Sequence, residues 1–225
     1  MIRSRDNERL KLVRKLRDRR WRDKLRLFAA EGEDLVEAAS AAEIEPVDVL
    51  VPGEDVEPEL LAEVSSLAHP PRVVAVFCRD DLPRGTRSIT LALWRIADPG
   101  NVGTLLRSAD AFGAAVTLSD GCADPTGPKA LRASMGSIFR VPLSEFDEPV
   151  GRRIALVPRG GVPLPELQVD GDVVLVLGAE REGLPVEVLE RCDERVSIPQ
   201  PGGGDSLNVA MAGTLALYEL ALRRP

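Results

Sequence analysis

Three short apolar runs, residues 89–94, 173–177 and 196–198, each end in a polar loop rich in glycine or proline. This repeated junction constrains the fold more than any other feature of the chain. A run without polar alternation suits a strand buried on both faces. A helical pattern follows each run, and alternating strands and helices imply a mostly parallel sheet covered on both sides. Ligands in such sheets sit beyond the carboxyl ends of the strands. At the third junction come Pro199, Pro201 and glycines 202–204, then Asp205 and Ser206 at the place of a helix N-cap. An Ala- and Leu-rich run continues to Leu222. Backbone N–H groups and the positive end of a helix dipole gather there, a natural seat for a polar small molecule. The plainer reading is a loop and a cap.

The upstream chain reads in order as a smaller block. Residues 4–27 place Leu10, Val13 and Leu16 or Arg17 at helical spacing, with a break near Arg19 and Arg20 and with Ser4 or Asn7 as cap. Residues 28–31 read as a strand, 33–42 as a helix, 47–51 as a strand, 57–68 as an acidic helix and 73–77 as a strand. Residues 1–78 thus form a small α/β domain. Residues 79–88, polar with Pro83 and Gly85, read as a linker. The second domain, 89–225, starts with the first buried strand. Asp98, Pro99 and Gly100 then make a turn, and a helix runs from Asn101 or Val102 to Phe112, ended by Gly113. A strand at 115–118, a helix at 129–135 and a strand at 154–157 follow. After the strand at 173–177, a helix starts at Leu184 or Pro185 and ends at Glu190.

Composition narrows the function classes. No apolar run approaches the roughly 18 residues of a membrane span, and the basic N-terminus lacks the apolar stretch of a signal peptide, so no membrane is expected. Cys78, Cys122 and Cys192 are scattered, form no CxxC pair and point to a reducing cytoplasm. The single histidine, His69, argues against a His-based metal site or triad, and no metal is expected. The net charge of −7 conceals an asymmetry. The first 27 residues carry 12 Lys+Arg against 4 Asp+Glu, a net of +8; the other 198 carry 17 against 32, a net of −15. Such an N-terminal segment binds a polyanion while the body repels it, or is simply a solvated helix face. Within it, Trp21 reads as core or as a base-stacking ring.

The loops lack the common nucleotide fingerprints. There is no G-x-G-x-x-G after a strand, no G-x-x-x-x-G-K-[ST] and no G-x-S-x-G. Residue chemistry alone stops at a small-ligand site in an α/β domain. The motifs go further. Asp98-Pro99-x-Asn101-x-Gly103-x-x-x-Arg107 is followed by Ala109 and Phe112-Gly113. Leu177-Gly178-Ala179-Glu180 comes with Gly183-Leu184. Ile198-Pro199 is followed by Ser206-Leu207-Asn208-Val209 and Ala212-Gly213. With Lys129 to Ser134 and Gly136 between the first two, this ordered set resembles the SpoU/TrmH family of RNA ribose 2′-O-methyltransferases, of the SPOUT class. In the first block Ser4, Asn7, Lys11, Leu16 and Phe28-x-x-Glu31-Gly32 resemble the ribosomal-protein-L30e-like substrate-binding domain that precedes many such enzymes.

The resemblance implies a C-terminal α/β trefoil-knot domain after a small α/β L30e-like domain. It implies S-adenosylmethionine as cofactor, contacted by Gly178, Ile198 and Leu207 with Ala179 and Gln200 nearby. It implies a homodimer through the C-terminal domain, in which Arg107 of one subunit works beside the cofactor of the other. Asn101, Glu180, Ser206 and Asn208 surround that arginine in the implied catalytic set. A guanidinium is always protonated, so Arg107 is expected to stabilise the developing alkoxide or hold a phosphate, with Glu180 orienting groups or accepting the proton. The chain departs from the family pattern at Ala179, where Asn or Ser is common, at Arg181, where Gly is frequent, and at Gln200, where Met is usual. Structured RNA is the implied substrate, rRNA ahead of tRNA because of the first block. The competing readings are a non-catalytic RNA-binding factor on the same fold and a different nucleotide-dependent α/β enzyme such as a reductase.

Overall fold

Local signals set most elements. In the computed structural model, which describes residues 1–67, 69–203 and 206–223, the Asn7 side chain accepts from Arg9 N–H and opens α1 (Glu8–Leu16). Leu10, Val13 and Leu16 are its buried stripe. Asp18 caps α2 (Arg19–Leu25), so the expected break falls at residues 17–18. Then come β1 (Leu27–Glu31), α3 (Glu33–Ala41), β2 (Asp48–Leu50), α4 (Pro58–Val64) and β3 (Val74–Cys78). The strands form an antiparallel sheet of order β1-β3-β2. The helix expected over 57–68 ends at Val64 because Ser65 is extended; residue 68 lies outside the described residues.

The second sheet is built from β4 (Ile89–Leu93), β5 (Ala115–Leu118), β6 (Leu143–Glu145), β7 (Arg152–Leu156), β8 (Val162–Pro163), β9 (Val173–Leu177) and β10 (Glu194–Ser197). Every pairing in it is parallel, in the order β6-β5-β4-β9-β7-β10-β8. Two late strands enter between earlier ones: β9 between β4 and β7, and β10 between β7 and β8. Helices α5 (Pro99–Ala111), α6 (Pro128–Ser134), α7 (Val186–Leu189) and α8 (Val209–Leu222) complete the fold. Two motif glycines serve packing. A Cβ on Gly103 would lie 2.4 Å from the Ala130 carbonyl on α6, and one on Gly213 of α8 would lie 2.5 Å from Leu105 on α5.

Helix α7 starts at Val186 with Pro185 as its cap, not at Leu184 or Pro185, and the strand expected at 154–157 is Arg152–Leu156. Two further shifts bear on the site. Helix α5 starts at Pro99 rather than at Asn101 or Val102, because Asp98 caps it and proline suits its first turn. Helix α8 is capped by Asn208, which accepts from Ala210 and Met211 N–H at 2.9 and 3.2 Å; Ser206 is not its cap. Asp205 and Gly204 lie outside the described residues.

The two sheets share one interior. Phe28 and Phe77 of the first block meet Phe139 of the second, with ring centroids 5.1–6.0 Å apart. A Cβ on Gly136 would collide with that of Ala38 at 2.3 Å. Beside this seam Arg22 donates to Asp124 at 2.8 Å and to the carbonyls of Leu16 and Arg17. Asp124 also accepts from Arg79 at 3.2 Å and from Thr126. Burial alone would raise the Asp124 pKa, but Arg79, Thr126 and Arg22 together hold it below the usual value.

Candidate active site

Three loops meet beyond the carboxyl ends of β4, β9 and β10. The first turn of α5 is set by Asp98, whose carboxylate accepts from Gly100 and Asn101 N–H at 2.6 and 3.1 Å and from Lys129 at 3.0 Å. Lys129 and these amides lower its pKa. The cap places Asn101 on the inward side of that turn. Its amide donates to Glu180 at 2.9 Å, and its oxygen accepts from the Asn208 amide at 3.1 Å. Since Asn208 caps α8, one hydrogen-bonded line runs from Glu180 through Asn101 to the start of the last helix. It ties the three loops together with neutral amides at its centre.

On one side of this line lies a cavity of about 330 Å³. All five cofactor candidates line it: Gly178, Ala179, Ile198, Gln200 and Leu207. Glu180, Ser206 and Asn208 line it too. Gly178 is indispensable in shape, because the loop after β9 folds back on itself. Ala179 and Gly183 exchange backbone hydrogen bonds at 2.9 and 3.1 Å, and a Cβ on Gly178 would lie 2.3 Å from the Gly183 carbonyl carbon. Leu156, Val157 and Pro158 supply a fourth wall from the end of β7. Sequence reasoning missed it, although the apolar run at 154–157 followed by proline was a signal of the same kind as the other three.

On the other side opens a second cleft of about 900 Å³, lined by Arg95, Asp98, Asn101, Glu180, Arg181 and Asn208 among others. Ala179, Glu180, Arg181 and Asn208 border both spaces. Four of the five catalytic candidates are therefore gathered here. Arg107 is the exception. It stands exposed two turns further along α5, lines neither space and pairs with no described residue. Next to α5 runs α8, whose Met211, Leu215, Tyr218 and Leu222 are 45–65% exposed at spacings of four, three and four residues. Phe112 meets Tyr218 edge-on at 6.1 Å.

The basic N-terminal segment is less available than its count implies. Arg3, Arg5, Arg9, Lys11, Arg19, Arg22 and Arg26 all have carboxylate partners. Arg14, Arg17 and Arg20 have none among the described residues, and the ammonium groups of Lys15 and Lys24 each lie 5.2 Å from the Trp21 ring centre. Trp21 is half-buried at the surface and is not core.

A crevice beyond parallel strands, with inserted late strands and a bare glycine loop, matches solved structures along its whole length. An AdoMet-bound rRNA methyltransferase from Sinorhizobium meliloti superposes with a TM-score of 0.86 at 30% identity, over 99% of this chain and 97% of that one. The fold is the α/β trefoil knot of the SPOUT class of methyltransferases. Residues 88–218 match the SpoU rRNA Methylase family, and residues 7–76 match the MRM3-like substrate binding domain. The chain belongs to the SpoU rRNA methylase family. The 23S rRNA (guanosine(2553)-2′-O)-methyltransferase RlmP of Bacillus subtilis is 31% identical over 97% of this chain and 98% of its own length. An uncharacterized tRNA/rRNA methyltransferase of Synechocystis is 37% identical over 72% of this chain, which spans only 64% of that relative.

Proposed function

We propose that this protein transfers a methyl group from S-adenosylmethionine to a ribose 2′-hydroxyl of rRNA. The observation that carries the reading is the shared border of the two spaces, where Glu180 and Asn208 face both a largely apolar cavity and a more open polar cleft. The cavity suits the cofactor: Ile198, Leu207 and Leu156 offer apolar walls to a flat base, and Gly178 leaves backbone bare beside it. Bound there, the cofactor supplies an electrophilic methyl group. The chain's own residues do the rest. The open cleft admits the ribose, and holding it in line with the cavity supplies much of the acceleration. Asn101 fixes one oxygen of Glu180. The other has no partner among the described residues and is free to accept the proton that the hydroxyl must lose. Asn208 holds Asn101 in that orientation, and Ser206 stands exposed on the cavity rim.

Arg107 completes the site from a second subunit. The exposed apolar stripe of α8 beside it is the kind of surface that monomers seldom leave open. A two-fold dimer across this stripe brings Arg107 of one protomer to the cleft of its partner, where a permanent cation stabilises the alkoxide or holds the target's phosphate. Residues 1–78 act in this reading as the RNA-gripping unit, 79–88 as the join and 89–225 as the chemical unit. The cytoplasm is the compartment implied. What favours rRNA over tRNA is the substrate-binding block and the near full-length likeness to an enzyme named for 23S rRNA. The test is methyl transfer from labelled S-adenosylmethionine to unmodified 23S rRNA and to tRNA transcripts. A 2′-O-methylated nucleoside from rRNA is expected; label confined to tRNA, or no binding of the cofactor, overturns the reading.

A further inference from the structure

Four non-glycine residues among those described have a left-handed backbone: Arg26, Glu43, Arg95 and Met135. Three of them close helices. Arg26 ends α2, Met135 ends α6, and Glu43 follows the last residue of α3's cap, where this conformation is common. Arg95 instead follows strand β4, with φ of 52°. Its N–H donates to Ser119 Oγ at 2.9 Å, which pins the backbone. Its side chain extends over Gly121, whose absent Cβ would lie 3.3 Å from Nε. The guanidinium is exposed and makes no hydrogen bond or ion pair with any described residue. Arg26, by contrast, is committed to Asp80.

Arg95 also sits at a junction of spaces. It lines the open cleft beside Asn101 and Glu180, and it lines an adjoining depression with Trp94, Phe146 and Asp120. From the loop after β9, Arg181 lines the same cleft and is equally unpartnered among the described residues. Of the cleft's carboxylates, Asp98 is paired with Lys129 and two amides, while Glu180 has one oxygen on the Asn101 amide and the other open. Glu182 is the third carboxylate of the cleft, and Asp120 and Glu145 line the adjoining depression without an ion pair to either arginine. Two forked cations thus border the entrance to the reacting position, and one is held there in a conformation that glycine would adopt more easily.

We propose that Arg95 and Arg181 form a phosphate clamp for the RNA backbone next to the target ribose. The proposal rests on the reading that RNA ribose is the substrate. Guanidinium forks match phosphate oxygens in pairs. A clamp here fixes the strand's path along the cleft while the cavity holds the cofactor.

Arg95→Gly tests it without backbone strain, because glycine accepts the φ of 52° while the whole side chain and its cation are removed. Arg95→Lys, Arg181→Ala and the double variant complete the set. S-adenosylhomocysteine binding, thermal melting, methyl transfer and salt-dependent binding to unmodified 23S rRNA transcript are measured on each. Arg95→Gly is expected to melt at or above the parent temperature and to bind S-adenosylhomocysteine unchanged. Its RNA affinity should fall about tenfold. The slope of log affinity against log salt should flatten by about 0.7–0.9 for each arginine removed, and Arg95→Lys should restore the slope. Parent-like RNA affinity in the double variant overturns the clamp. So does weakened binding with an unchanged salt slope, which would mark a base contact. Absence of RNA methylation by the parent protein would instead sink the function reading itself.

Discussion

The N-terminal block and the site loops carry arginines of opposite kinds. In the first 27 residues of the block, seven of the basic residues are tied to carboxylates, and Arg22 is 4% exposed inside the seam with Asp124. Around the site, Arg95, Arg107 and Arg181 are exposed or cleft-lining and unpaired among the described residues. The first group is neutralised and contributes to shape. The second is left uncompensated where charge must act on a substrate. A count of charges over a segment therefore says little about where a polyanion is gripped. On α1 and α2 the usable cations shrink to Arg14, Arg17 and Arg20, with Lys15 and Lys24 around Trp21.

The strongest test of this contrast breaks a paired arginine. Asp124→Asn leaves the buried Arg22 with the Leu16 and Arg17 carbonyls but no countercharge, and the loss is expected to be about 3–5 kcal/mol, read by urea unfolding. Since folding depresses the Asp124 pKa, its contribution is fully present above the ordinary carboxylate value of about 3.9 and disappears as the pH falls through the lower folded value. The parent should lose stability steeply in that acid range, and the variant's curve should be flatter there. Next in size, Arg107→Lys and Arg107→Ala should keep S-adenosylmethionine affinity and stability while turnover drops about 10²–10³-fold. A mixture of Arg107→Ala and Glu180→Gln chains should recover part of the activity if the sites are shared between subunits; none would argue for a self-contained site.

Smaller effects follow. Asn208→Ala removes the α8 cap and one anchor of Asn101, which should cost about 1 kcal/mol in thermal unfolding and weaken catalysis further. Least of all for the fold, Arg14→Ala, Arg17→Ala and Arg20→Ala together should leave stability unchanged and lower RNA affinity with a shallower salt slope. The paired Arg3→Ala, Arg5→Ala and Arg9→Ala set should move RNA affinity less, which a binding titration compares directly. Deleting residues 1–78 is a poorer test, because it bares Phe139, strips Asp124 of Arg22 and strips Arg79 of Asp23.

The buried strands β4 and β9 are legible within a residue because continuous β-branched and leucine runs have few other solutions. Strands β6 and β8, of three and two residues, carry no such run, and their existence depends on neighbours already in place. Of the site, Asn101, Glu180 and Asn208 were named from motifs, but their mutual hydrogen bonds span 79 and 107 residues of sequence. Arg95 and Arg181 were passed over as catalytic or binding groups, since nothing local marks an arginine as unpaired.

By itself the sequence determined the strand–loop–helix punctuation, the two-block order and the motif residues, because these rest on local propensity and short-range spacing. Only the tertiary structure decided the interleaved strand order, the shared aromatic seam and which cations stay free. The reason is physical: parallel pairing, burial and ion pairing are settled between segments far apart in the chain, where no local pattern records the partner.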